Sequence, residues 1–326
     1  MLIRNKDLIQ SYVMTAAKYD FTVYEKRILY RVVELCQYMI EGKELNSSYA
    51  IDKNLMGDRV VTMPVKFLLK DESDHNHAKV KEALKSLRNK TIEYEDERTW
   101  KLIGMIEKPE IDKYATAVRF ELQEEIYQCL FNFAKGYRKY ELKIAMDFET
   151  IYAMRFYELF SGQKSPIEYT IEQLKAMFKI EGKYKNRPAD FIKKVVEPAQ
   201  KEMDEKSPYS FKFTPLKKNG SRSYVSIKFF PYYIPENRDP ALEQVELNKK
   251  TSLRWELSQP EIAYLKENFG FTDKQLKNNQ QLFAAASDQI DLLLKLSELK
   301  ARMGSIKNPQ GYVVNTLKKM LNGKNA

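Results

Sequence analysis

The spacing of apolar positions changes period repeatedly along this chain, and the changes divide it into elements. Over residues 5–16 the spacing predicts an amphipathic helix. A longer helix follows, opened by Thr22-Val-Tyr-Glu25, which has the form of a capping box. Ile28, Leu29, Val32, Val33, Cys36 and Met39 then recur at helical spacing, and Gly42 marks the stop. Residues 59–69 alternate as a strand does. The polar, acidic loop 71–76 leads into a helix over 77–90. Residues 91–95 and 99–107 read as strands, Pro109 and Asp112 as a turn, 116–122 as a strand and 124–134 as a closing helix.

The plan then repeats. Residues 147–161 predict a helix with Ile151, Met154, Phe156, Leu159 and Phe160 apolar. Thr170-Ile-Glu-Gln173 is a capping box for a short helix over 171–178, and a turn with Gly182 follows. Pro188 suits the first turn of a helix over 189–206. Pro198 should kink that helix or remove one hydrogen bond. A hairpin over 209–216 and 224–230 closes the segment through Lys217-Lys-Asn-Gly220. Helix, turn, helix and hairpin is the winged-helix order, and it occurs twice.

The fold class expected is α+β, with two tandem winged-helix domains followed by a small all-α C-terminal domain. The first would span 1–140 and the second 141–232. A polar linker with Pro235 and Pro240 would occupy 233–250, and the helical domain 251–326. In the tail, Ser258-Gln-Pro-Glu261 and Thr272 open helices, and 288–303 and 309–321 supply two more.

Winged helices read DNA with the helix before the wing, so one face must be apolar and the other polar. On a 100° wheel, Phe191, Ile192, Val195, Val196, Ala199 and Met203 share one arc. Lys193, Lys194, Glu197, Gln200 and Lys201 share the other, and Arg187 stands at the N-terminal end. In the first unit Val80, Ala83, Leu84 and Leu87 face inward, while Lys81, Lys85 and Arg88 form an outer stripe. Lys217, Lys218, Arg222 and Lys228 make the second wing basic, suited to gripping phosphates beside the groove.

Charge agrees with this reading. The 326 residues carry 55 Lys and Arg against 45 Asp and Glu, a formal charge of +10, which favours a polyanionic partner. Cys36 and Cys129, each in an apolar helical stretch, read as reduced core residues of a cytoplasmic protein. The first residues lack an apolar signal region, and no apolar run approaches the roughly 18 residues of a membrane span.

Enzymatic alternatives lack their residues. A rolling-circle nickase needs a His-hydrophobic-His metal pair. Here His75 and His77 flank the polar Asn76 at the start of a helix. There is no Walker-type glycine loop, and histidine is missing from every later segment, so no triad forms. The acidic runs 71–74 and 93–97 read as solvated charge. The sequence thus predicts no enzyme, metal or cofactor. A tandem winged-helix repressor would use the same contacts.

The order of motifs in the second segment resembles the iteron-binding plasmid replication initiators, the twin winged-helix family of theta-type replication. Tyr152-Ala-Met-Arg-Phe-Tyr-Glu-Leu-Phe160 resembles the helix opening that family's second domain. Tyr169-Thr-Ile-Glu-Gln-Leu174 with Phe178-Lys-Ile180 resembles its helix-turn element. Asp190-Phe-Ile-Lys-Lys-Val-Val-Glu-Pro-Ala-Gln-Lys-Glu-Met203 resembles its recognition helix, and Gly220-Ser-Arg-Ser-Tyr-Val-Ser-Ile-Lys-Phe229 its wing. Asn5-Lys-Asp-Leu-Ile-Gln-Ser-Tyr12 is similar to its opening. The resemblance covers about residues 3–232. Ile306-Lys-Asn-Pro-Gln-Gly-Tyr312 is similar to an end motif of several phage and plasmid replication proteins.

The resemblance implies binding to direct repeats at a plasmid origin, opening of adjacent duplex and recruitment of host replication proteins such as the helicase. It also implies a monomer–dimer equilibrium, with dimers made through the first domain repressing the protein's own gene. Carried onto this chain, it places base reading on Arg187, Lys193, Lys194 and Lys201, and on Lys81, Lys85 and Arg88.

Overall fold

The structure, a computed structural model, describes residues 5–40, 49–70, 74–95, 100–112, 116–131, 137–184, 187–217, 223–251, 257, 259–304 and 306–322. Elements run in the order β1 (Asp7–Ser11), α1 (Tyr12–Ala16), α2 (Val23–Ile40), β2 (Ala50–Lys53), β3 (Arg59–Pro64) and α3 (His77–Arg88). Then come β4 (Thr91–Glu95), β5 (Trp100–Gly104), β6 (Glu107–Asp112), β7 (Ala117–Leu122), α4 (Glu124–Phe131), β8 (Tyr137–Glu141), α5 (Leu142–Asp147) and α6 (Ile151–Phe160). The second segment continues with β9 (Ile167–Thr170), α7 (Ile171–Met177), α8 (Pro188–Phe191), a π turn (Ile192–Val196), α9 (Glu197–Lys206), β10 (Tyr209–Lys217) and β11 (Tyr224–Tyr233). Among the described residues six helices follow: α10 (Pro240–Thr251), α11 (Gln259–Phe269), α12 (Asp273–Asn278), α13 (Gln280–Gln289), α14 (Leu292–Arg302) and α15 (Pro309–Asn322).

The first expectation fails at the start of the chain. Residues 5–16 are not one helix. Asp7–Ser11 is a strand paired antiparallel with β8, Asp7 opposite Glu141 and Ser11 opposite Tyr137. The segment Asp-Leu-Ile-Gln-Ser suits either period, and a distant partner strand decides between them. Ser11 then caps α1, its side chain accepting from the Met14 amide at 3.2 Å. The box opening α2 forms as expected: the Thr22 amide donates to Glu25 Oε2 at 2.6 Å and the Glu25 amide to Thr22 Oγ1 at 3.4 Å. Gly42 lies outside the described residues.

Strand β3 stops at Pro64, where a 3₁₀ turn over Val65–Leu68 replaces the rest of the expected strand. Pro109 lies inside β6 rather than in a turn. Its sheet runs β2-β3-β7-β6, so β6 is an edge strand, and the register slips between Glu107 and Glu110. An edge bulge is where a residue without an amide is tolerated in a sheet. The helix expected over 147–161 begins only at Ile151, because Phe148 is extended and Thr150 caps α6 through the Ala153 amide.

One buried cluster runs through both winged-helix segments. On α6, Phe156 and Phe160 meet Phe211 and Phe229 of the second hairpin with ring centroids 5.0–5.7 Å apart. Cys36 belongs to this cluster, and burial pushes its thiol up to about 12. At the seam, Lys26 of α2 pairs with Glu158 of α6, both fully buried.

The stretch expected as a linker is ordered. Strand β11 runs on to Tyr233, a 3₁₀ turn spans Pro235–Asn237, and α10 follows. Ala241, Leu242, Glu243 and Gln244 favour helix, which the prolines before them permit at a first turn.

The tail has its own core of Leu265, Phe269, Phe271, Phe283, Leu296 and Leu317 among others. Thr272 and Gln275 form a complete capping box. The helix expected over 288–303 begins only at Leu292, because Asp291 is extended and caps it. Ser258 lies outside the described residues. In the Asn-Pro-Gln-Gly-Tyr motif, the Gly311 amide donates to Asn308 Oδ1 at 2.9 Å. A Cβ at Gly311 would lie 2.6 Å from Asn308 Nδ2. The glycine is therefore what this cap requires. Tyr137 of β8 joins the tail to the body, its hydroxyl donating to Asp291 at 2.6 Å.

Candidate nucleic-acid interface

In the second segment the helix-turn-helix is built from α7 and the α8–α9 helix. Thr170 and Gln173 complete the capping box of α7 as expected. The turn closes through Lys179 and Tyr184, both in the left-handed region with φ of 50° and 57°. Lys175, buried, donates to the Tyr184 carbonyl at 3.0 Å and so ties the turn to α7. Pro188 opens α8 at its first turn.

Beyond the turn, Phe191, Ile192, Val195, Val196, Ala199 and Met203 are all buried, which is the arc expected for the inner face. Arg187, Lys193, Lys194 and Lys201 are exposed and form no ion pair among the described residues. Lys194 Nζ stands 6.0 Å from the Tyr184 ring centroid. Glu197 is the acid among them on this face.

Gln200 departs from its expected place on the outer face. It is half-buried, and its amide donates to the Phe211 carbonyl at 2.8 Å, fastening the helix to β10. The wheel puts Gln200 at the edge of the polar arc, where a hairpin packed alongside can claim it.

The hairpin follows directly. Lys217 is exposed, its Nζ 5.3 Å from the Tyr224 ring centroid. Lys218 and Arg222 lie outside the described residues. Lys228 is exposed, and across the ladder the register sets it opposite Thr214, and Lys212 opposite Phe230. Lys212 is also exposed and adds a cation to the outer face of the hairpin. Sequence reasoning passed over it, although its alternation with buried Phe211 was the available signal.

In the first segment, α3 buries Val80, Ala83, Leu84 and Leu87 as expected and exposes Lys81 and Lys85. Arg88 is half-exposed, and its Nη2 pairs with Glu107 Oε2 at 3.0 Å. The sequence wheel could not show that partner, because it comes from β6. The acid Asp74 is not merely solvated charge. It accepts from the Lys70 amide at 3.2 Å, the Asn76 amide at 3.0 Å and the Tyr24 hydroxyl at 3.0 Å, so it shapes the loop before α3. Burial would raise its carboxyl, but these hydrogen bonds hold it below the usual carboxylate range. Residues 71–73 and the side chains of 93–97 lie outside what is described.

His75 and His77 are both exposed at the start of α3, the His77 amide donating to the His75 carbonyl at 2.8 Å. A hairpin of β4 and β5 follows α3, with Thr91 opposite Gly104 and Glu95 opposite Trp100. Trp100 and Leu102 are exposed on it, at 57% and 54%. Among the described residues no group of three metal-ligating side chains occurs, and no helix is long and apolar enough to cross a membrane.

This arrangement presents two cationic helix faces, each followed by a hairpin. Lysines there can neutralise phosphates or reach guanine edges in a major groove.

Comparison with known proteins agrees in kind and order. Residues 7–161 match the family described as "Initiator Replication protein, WH1". Residues 170–230 match the one described as "Initiator Rep protein, WH2". Among solved structures 21 chains match. One is described as "Crystal structure of Pi initiator protein in complex with iteron DNA". It is 16% identical with a TM-score of 0.50, covering 70% of this chain and 97% of that one, a likeness of fold. No curated protein matches the chain.

Proposed function

Since this chain belongs to the initiator replication proteins and carries their two winged-helix domains in order, we propose that it is a plasmid initiator that binds repeated duplex sequences, iterons, at its origin. The observation that carries this reading is the outer face of the α8–α9 helix. Arg187, Lys193, Lys194 and Lys201 are exposed there without ion pairs among the described residues, beside a hairpin that adds Lys212, Lys217 and Lys228.

Each winged-helix domain lays its pre-hairpin helix in a major groove. The second domain is the main reader. The first, through Lys81 and Lys85, extends the site along the duplex. Lysines at the ends of each face hold phosphates and set register, while those directed into the groove read base edges. The protein works by binding, without a catalytic site or cofactor. Occupation of successive repeats strains the neighbouring duplex and presents a surface to host replication proteins such as the helicase. The active species is a monomer in equilibrium with a dimer made through the first domain, within the bacterial cytoplasm.

The test is enrichment of random duplex DNA on purified protein, followed by salt titration of the winning sequence. The expected result is one motif longer than a helical turn, present as direct repeats at the origin of the replicon encoding the chain. Each lysine that neutralises a phosphate should contribute about 0.9 to the log–log salt slope. Enrichment of single strands, or of nothing, would overturn the reading.

A further inference from the structure

The α8–α9 helix is not uniform. Its two halves are joined by the π turn over Ile192–Val196, in which the Glu197 amide reaches the Ile192 carbonyl, five residues back. Pro198 follows at once. In a continuous α-helix the residue at 198 would donate to the Lys194 carbonyl. Proline has no amide to donate, and its ring presses on that carbonyl. Widening the preceding turn relieves the clash and lets the helix continue.

Both halves are fixed to the body of the domain. Before the proline, Phe191, Ile192, Val195 and Val196 are buried. After it, Ala199 and Met203 are buried, and Gln200 bonds the Phe211 carbonyl. Glu202 accepts from the Glu149 and Thr150 amides at 2.6 and 3.2 Å. Both halves are held by these contacts, so the added residue turns the second half about the helix axis relative to the first, and its outer face turns with it.

That face carries Lys193 and Lys194 on one side of the widened turn and Lys201 on the other. A turn holding one more residue re-phases the rest of the helix by about 100°, the rotation of one residue in a 3.6-residue turn. In an unbroken α-helix Lys201 would stand almost in line with Lys194, two turns on. With the π turn in place it swings toward the row of Lys193.

We infer that Pro198 is a specificity-determining positioning residue. By holding the π turn it sets the angle between Lys193–Lys194 and Lys201, and so decides which base edges the two halves of the helix meet in one groove. The inference rests on the DNA-reading role proposed above.

Pro198→Ala, at an exposed position, restores the amide and permits a regular helix. Because a regular helix turns the second half against its contacts to Phe211, Glu149 and Thr150, the variant should stay folded but melt below the parent protein. It should bind non-specific duplex within about twofold of the parent and lose about tenfold or more of its preference for the selected motif. Re-selection on random duplex should return a motif altered at the positions read by the Lys201 half. Pro198→Gln, which also restores the amide, should behave alike and serves if the alanine variant folds poorly. Lys193→Ala and Lys194→Ala in the parent background are run beside them. If these lose specific affinity while both Pro198 variants keep the parent motif and preference, the positioning role is wrong and the DNA reading stands. If all four bind as the parent does, the helix does not read DNA and both fall.

Discussion

Arg238 and Asp7 meet in a bidentate ion pair, Nη1 to Oδ1 at 2.9 Å and Nη2 to Oδ2 at 3.1 Å, although one follows the second hairpin and the other opens the first strand. Arg238 also donates to Glu141 Oε1 at 2.8 Å, and Lys139 bridges Asp7 to Glu246 of α10. The segment leaving β11 is thereby fastened across the β1–β8 pair. Breaking a buried pair by removing one partner leaves the other charge uncompensated and costs about 3–5 kcal/mol. Arg238→Ala, which strands buried Glu141 and leaves half-buried Asp7 to Lys139 alone, should lower stability by about 3 kcal/mol in urea unfolding. A loss below about 1 kcal/mol would mean that the cluster is solvated and is not a fastening.

The same cluster sets an acid response. Burial would raise the Asp7 carboxyl, but hydrogen bonds and positive charge from Arg238 and Lys139 outweigh it and hold it below the ordinary carboxylate range. Asp147 is lowered likewise, burial being outweighed by Lys70 and Lys206. A carboxyl depressed in the folded state contributes stability above its unfolded value of about 4, and loses it as pH falls through the folded value. The urea midpoint should therefore hold between about pH 7 and 5 and fall below about pH 4. Asp7→Asn should start lower at pH 7 and fall less steeply. Parallel pH profiles for the two proteins would refute the assignment.

At the seam between the two domains, Lys26 and Arg155 both face Glu158, and all three are buried. The Tyr19 hydroxyl lies 3.3 Å from Glu158, and the Arg155 guanidinium 3.8 Å from the Tyr19 ring centroid. Glu158→Gln removes the anion that two buried cations share. A loss of about 3–5 kcal/mol is expected by chemical denaturation. Lys26→Met with Glu158→Leu should recover part of it, since it leaves one buried cation, Arg155, without the anion in place of two. Equal destabilisation in the single and double variants would show that packing, not charge, holds the seam.

On α3 the three cations of the stripe should not weigh equally in DNA binding. Lys81 and Lys85 are exposed, whereas Arg88 already pairs with Glu107. Lys81→Ala or Lys85→Ala should each reduce the log–log salt slope by about 0.9 if the side chain neutralises a phosphate. Arg88→Ala should reduce it by less, because DNA must displace Glu107 to gain that contact. A larger effect at Arg88 than at either lysine would reverse this ordering.

Local spacing and capping residues were enough to place the features that lie within a turn or two of chain. The boxes at Thr22–Glu25 and Thr170–Gln173 stand where their residues predict, and Thr272 opens its helix as expected, because each joins a side chain to an amide three positions away. The buried arcs of α3 and of the α8–α9 helix follow from apolar spacing alone. Two winged-helix orders, and the exposed lysines before each hairpin, come from the same local signals.

The tertiary structure decided every feature that needs a distant partner. Residues 7–11 became a strand because β8 lies beside them, and Pro109 entered a strand because that strand is an edge. Gln200 turned inward to Phe211, Arg88 took Glu107, and the polar stretch after β11 was held by Asp7 and Glu141. Pro198 announced a disturbed helix, but local spacing could not say whether the disturbance is a kink or the widened turn that the structure shows. Period and capping report the hydrogen bonds a segment makes with itself. Strand pairing, ion pairs and helix docking are bonds to remote segments, and leave no mark in local spacing.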